Sequence, residues 1–122
     1  MAYPVSVTTA DWTVCGQILD AATASICHIP PGGPGRLQRA YATLSAAITT
    51  ADSVITIKKG STTLGTITLV TTGSAIGSQF EAVWTGSEAD RYFQPTEPIV
   101  FDNGGECDTT SIVRITAVMR GL

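Results

Sequence analysis

The 122-residue chain has the length of a single domain, and its 43% apolar content is enough for one core. A formal charge of −3, with only seven Lys and Arg scattered along the chain, argues against the basic face that neutralises nucleic-acid phosphates. No apolar run approaches the ~20 residues needed to span a bilayer.

Met1-Ala2-Tyr3-Pro4-Val5 lacks the basic segment and apolar stretch of a secretory signal, so the expectation is a soluble protein kept in the cytoplasm where it is made. Neither nucleic acid nor membrane is expected as a partner. Thr, Val, Ile and Gly are abundant while Lys and Glu are sparse, a balance suited to half-buried pleated surfaces. Low charge also suggests that much of the surface is covered in an assembly.

Residues 1–23 read as an N-terminal arm and residues 24–122 as one β-sandwich domain. Asp11 to Gly16 has some strand character, but Gly16 and Asp20-Ala21-Ala22 interrupt it. Ala24 to Ile29 is a short apolar segment, ended by Pro30-Pro31-Gly32-Gly33-Pro34-Gly35. Three prolines without backbone donors make that run an exposed, stiff loop. Residues 36–48 are ambiguous: Leu37, Ala40, Tyr41, Leu44, Ala47 and Ile48 follow helical spacing, while Gln38, Ala40, Ala42, Leu44, Ala46 and Ile48 alternate as in a strand.

Beyond residue 50 the signal is plainly β. Val54 to Lys58 and Thr63 to Thr71 form a hairpin about Lys59-Gly60-Ser61. Phe80, Ala82 and Trp84 mark another strand, with Trp84 expected to be buried. Arg91-Tyr92-Phe93 is short and stopped by Pro95. Pro98 to Phe101 leads into Asp102-Asn103-Gly104-Gly105, whose Asn-Gly pair suits a tight hairpin turn. Ile112 to Met119 carries apolar residues on both faces, as in a central strand or one packed on a neighbouring subunit. Six to eight strands at roughly ten-residue intervals describe an all-β antiparallel sandwich.

Chemistry is hard to find. Cys15, Cys27 and Cys107 form no paired framework and read as small apolar residues, mostly buried. With His28 they lack the close spacing of zinc modules, and Cys27 and His28 point to opposite faces of a strand. Nothing places His28 beside a thiol for nucleophilic catalysis. Asp102, Asn103, Glu106 and Asp108 fit a solvated turn better than a calcium loop. The glycines at 32–35 lack the Lys-Ser/Thr ending of a phosphate loop. No catalytic, cofactor-binding or metal site is expected, and the chain is read as non-enzymatic.

Two blocks carry a resemblance. The first is Ala46 to Lys58 followed by Gly65-Thr66-Ile67-Thr68-Leu69; the second is Pro98 to Gly105 leading to Ile112 through Val118. In this order they resemble the jelly-roll decoration, or cement, proteins of tailed-bacteriophage heads. The resemblance implies a jelly-roll-like sandwich in which residues 36–48 are the first long core strand. It also implies a homotrimer on the outer capsid surface of the virion, made in the bacterial host cytoplasm. Such a trimer clamps the major capsid protein lattice, often through an N-terminal arm, so Tyr3, Pro4, Val5 and Trp12 are the candidate capsid contacts. The alternative function is a host-recognition or carbohydrate-binding module of a phage fibre or tail, suggested by the aromatics and Thr-rich faces.

Overall fold

Side-chain alternation, apolar inward and polar outward, runs through the strands of a computed structural model that describes residues 11–121. In chain order the strands are β1 (Asp11–Ile18), β2 (Ser25–Ile29), β3 (Gly35–Leu44), β4 (Ser53–Lys59) and β5 (Thr62–Leu69). They continue with β6 (Gln79–Glu81), β7 (Val83–Trp84), β8 (Tyr92–Phe93), β9 (Ile99–Asn103) and β10 (Val113–Gly121), and one short 3-10 turn, Glu88–Arg91, precedes β8.

Sheet one has the order β1-β10-β3-β6, with β8 also paired to β3; sheet two has the order β2-β9-β4-β5-β7. All pairs are antiparallel. The pairings nest: β1 with β10, β2 with β9, β3 with β8, β4 with β5. Such a folded-over antiparallel ribbon is a jelly-roll sandwich.

The core lies between the inner faces of the two sheets. Leu37, Ala40, Ala42 and Leu44 of β3 and Val113, Ile115, Ala117 and Met119 of β10 meet Ile55, Ile57, Leu64, Ile67, Leu69, Ile99 and Phe101 of sheet two. Full burial of each such Leu, Ile or Phe contributes about 1.5–3 kcal/mol.

The helical spacing at residues 36–48 has a physical origin. Val118 faces Arg39 and Met119 faces Leu37, so Gln38 is an extra, bulged residue opposite the β10 ladder. The bulge puts Leu37 and Ala40, three apart, on the same inward face of a strand. A second bulge at Leu64, between the Ile57–Gly65 and Lys58–Thr63 pairs, turns its carbonyl to accept from Thr85 and Gly86 at 3.0 and 3.2 Å.

The chain changes sheets at Ala82. Gln79–Glu81 pairs with β3, Ala82 N–H donates to the Ala40 carbonyl at 2.9 Å, and Val83–Trp84 then pairs with β5. One strand thus turns a corner of the sandwich. Trp84 is half-buried against the core rather than fully enclosed. A Cβ on Gly65 would lie 2.9 Å from its Cε3, so only glycine admits this approach.

Two sequence expectations are corrected. The boundary drawn at residue 23 does not coincide with a break: Asp11–Ile18 is a strand of sheet one, in register with β10 from Arg120 to Val113. An interior Gly16 disguised it. An added Cβ there would sit 2.8 Å from the Ile29 side chain, so glycine lets β1 close onto β2.

Nor is Asn103 part of a tight hairpin turn. It ends β9, fully buried, and its Nδ2 donates to the carbonyls of Ala21 and Thr23 at 3.1 and 3.0 Å. Buried Ser53 and Ser111 extend this polar seam. Ser53 Oγ accepts from Cys107 N–H at 3.0 Å, and Ser111 Oγ donates to the Ala46 carbonyl at 3.1 Å. Three loops, 19–24, 45–52 and 104–112, are tied together at this end.

Replacing Asn103 with Leu leaves those carbonyls without a donor and is expected to cost about 2 kcal/mol, given the penalty of an unmet buried polar group. Urea unfolding measures it. An unchanged midpoint would show that the amide ties nothing.

Candidate interaction surfaces

Strand pairing decides which side chains meet solvent together. On the outside of sheet two, the register lines up Ile26, Asp102, Thr56, Thr66 and Val83 in one row across all five strands. Four inter-strand steps make that row roughly 19 Å long. Beside it, His28, Val100 and Lys58 form a second row, and Val54 and Thr68 a third.

Ile26 is 57% and Val83 66% exposed, so the row has a large apolar side chain at each end. Apart from His28, the charged strand residues described on this face are Lys58 and Asp102. They neutralise each other, with Lys58 Nζ 3.1 Å from Asp102 Oδ2. The face is apolar and hydroxyl-rich, with threonines where a free-standing sheet would carry charge.

Sheet one is the opposite. Arg36, Arg39, Arg114 and Arg120 lie on its outer face, with Asp11 and Glu81 among them. Arg120 Nε meets Asp11 Oδ1 at 3.1 Å. Arg39 donates to the Tyr41 hydroxyl at 3.4 Å; that bond, then the Tyr41 and Glu81 charges, raise its pKa. Four of the chain's seven cations are therefore gathered on one face of an acidic protein.

Two concavities adjoin sheet two. One, of about 450 Å³, is lined by Ile26, His28, Lys58, Gly60, Glu97, Pro98, Val100 and Asp102. The other, of about 290 Å³, follows the seam between edge strands β1 and β2, where exposed Leu19 joins Ile26.

Of the expected capsid contacts, Tyr3, Pro4 and Val5 lie outside the described residues. Trp12 is half-buried, and its indole N–H donates to the Pro31 carbonyl at 2.7 Å. Its ring covers the Gly32–Gly35 loop so closely that a Cβ on Gly35 would fall 2.8 Å from Cη2. Trp12 thus fastens the proline-rich loop to β1. Pro31, in a segment expected to be exposed, is buried.

The cysteines are free and dissimilar. Cys107 is buried as expected, Cys27 is half-buried, and Cys15 is exposed on the outside of sheet one. Cys27 and His28 do point to opposite faces, His28 outward. Among the described residues, no group of three His, Cys, Asp or Glu side chains is arranged to hold a metal ion. Asp102, Asn103, Glu106 and Asp108 are dispersed: Asp102 pairs with Lys58, Asn103 is internal, and Glu106 accepts from Val54 N–H at 3.2 Å.

Burial pushes the Cys27 thiol up from 9.0, with a hydrogen bond at Gln17 acting the other way. Native thiol labelling should modify Cys15 first and spare Cys107 until unfolding, with the Cys27 rate still climbing above pH 9. A folded pKa above the unfolded one means that this thiol's contribution to stability is intact below about pH 9. It is lost as pH rises through the folded value. Mass spectrometry of labelled peptides checks the order; early modification of Cys107 would contradict it.

No family model matches the chain, and no curated protein matches it in sequence.

Proposed function

We propose that the chain is a capsid decoration protein of a tailed-phage head, a homotrimer that grips the major capsid protein from outside and stabilises its lattice. The observation that carries this reading is the five-strand row from Ile26 to Val83, a charge-neutral face suited to burial against protein. The two resembling sequence blocks add support, because they fall on β4, β5, β9 and β10, of which β9, β4 and β5 are adjacent strands beneath that face.

A three-fold assembly is built from a heterologous contact, so this face meets a different patch of the next copy. Three linked contacts then act at high effective concentration, and each can be modest. Binding the assembled shell better than loose subunits is sufficient to stabilise it. Tyr3, Pro4 and Val5 remain the proposed shell-facing residues.

Light scattering of the purified chain should give a trimer. The double variant Ile26→Lys, Val83→Lys should weaken association at least about 30-fold, the scale of losing a buried interface anchor. Its fold should survive, since both side chains already face solvent. A stable wild-type monomer would sink this reading.

Deleting residues 2–10, which keeps Trp12 and β1, should abolish co-sedimentation with expanded capsids and leave the unfolding midpoint in place. Retained binding would move the contact elsewhere. The groove around His28, Glu97 and Asp102 has the size of a small-ligand site and favours the second reading, a fibre or tail carbohydrate module. Reproducible glycan-array binding, lost in His28→Ala, would replace the first reading with the second.

A further inference from the structure

The 3-10 turn Glu88–Arg91 packs against β3 and β5 at the rim of the sandwich, where it assembles an unusual group of cations. Arg36 of β3 forms an ion pair with Glu88. Arg91 lays its guanidinium over the Trp84 ring, with Cζ 4.7 Å from the centroid. Lys59 donates to the Tyr92 carbonyl at 2.7 Å, immediately beyond Arg91. The nearby Asp90 carboxylate is within 3.3 Å of the Ser87 hydroxyl.

Two features make this cluster incomplete. The Nε atoms of both Arg36 and Arg91 are buried and meet no acceptor among the described residues. Nor do the ion pairs found among those residues include Arg91. Its pKa is lowered first by burial and then by the charge of Arg36, so the two guanidiniums oppose one another. An Arg91 guanidinium with no ion-pair partner among the described residues is suited to an anionic acceptor.

The geometry restricts what that acceptor can be. Trp84 covers the face of the Arg91 guanidinium and its Nε is buried, which leaves the two terminal in-plane NH2 groups for a flat, two-oxygen partner. The site lies on the rim beside exposed Tyr92, where a side chain presented by another surface can reach it. We propose that Arg36, Arg91 and Trp84 form a receptor for a carboxylate, the side chain of an Asp or Glu presented by a protein partner. This deepens the protein-binding reading above and rests on it.

The test follows the arginine Nε–Hε and Trp84 indole resonances of the full chain by NMR. The probes are a short blocked peptide containing two glutamates, its glutamine counterpart, and inorganic phosphate. Saturable shifts at Arg36, Arg91 and Trp84 are expected with the glutamate peptide, with binding at least about tenfold weaker for the glutamine peptide and for phosphate. Arg91→Gln should abolish the response. Arg91→Lys, which keeps the charge but loses the planar fork, should weaken it about tenfold. Arg114→Gln, a cation elsewhere on sheet one, should leave it unchanged.

Absence of saturable shifts, phosphate binding as tight as the peptide, or an equal loss in Arg114→Gln would each overturn the proposal. No capsid enters this experiment, so its failure is distinct from a failure of capsid co-sedimentation.

Discussion

The position of β10 governs the architecture. The last strand lies between the first and the third, matched to β1 over eight positions and to β3 over nine. Its inward residues Val113, Ile115, Ala117 and Met119 are fully buried, so sheet one has no continuous inner face until the end of the chain is in place. Sheet two repeats the logic with β9 between β2 and β4. Loop-closure entropy must be met before such distant strands reward each other, which makes this a slow-folding topology beside a helical protein of equal length.

Much of this was legible in the residues because alternation survives wherever the ladder is regular. Ile55 and Ile57, Ile67 and Leu69, and the alternate residues Val113, Ile115, Ala117 and Met119 are all inward, as their spacing predicts. Legibility fails where geometry departs from the two-residue period. The bulge at Gln38 imitates a helix, and Gly16 breaks the pattern of β1 because a larger residue would collide with Ile29. Asn103 reads as a turn residue, yet its amide is spent inside the protein on carbonyls eighty or more positions away. No local pattern encodes a partner that far off.

The surfaces were less legible than the core. Ile26, Thr56, Thr66 and Val83 come from four segments, and nothing in the spacing within any one of them sets the row they form. Only the register of four strand pairs does so. The same is true of the rim, where β3, β7 and the 3-10 turn each contribute one member of the Arg36, Trp84 and Arg91 group. The sequence did show a shortage of charge and a large share of Thr. What it lacked was the partition, with one face neutral and the other holding four arginines. Trp12 has a role no spacing announces: an aromatic near the N-terminus invites a part in outward contact, and its indole N–H is tied to the Pro31 carbonyl.

The corner at Ala82 gives the sandwich two unlike sides. There the backbone itself passes from sheet one to sheet two, so any force prising the sheets apart would have to stretch covalent chain. On the other flank β1 and β2 face each other through side chains such as Cys27 and Ile29, with the chain crossing at the 19–24 loop and again at the 30–34 loop that Trp12 fastens to β1. Under strain the molecule is therefore built to open like a book, its spine at Ala82 and its pages parting between β1 and β2.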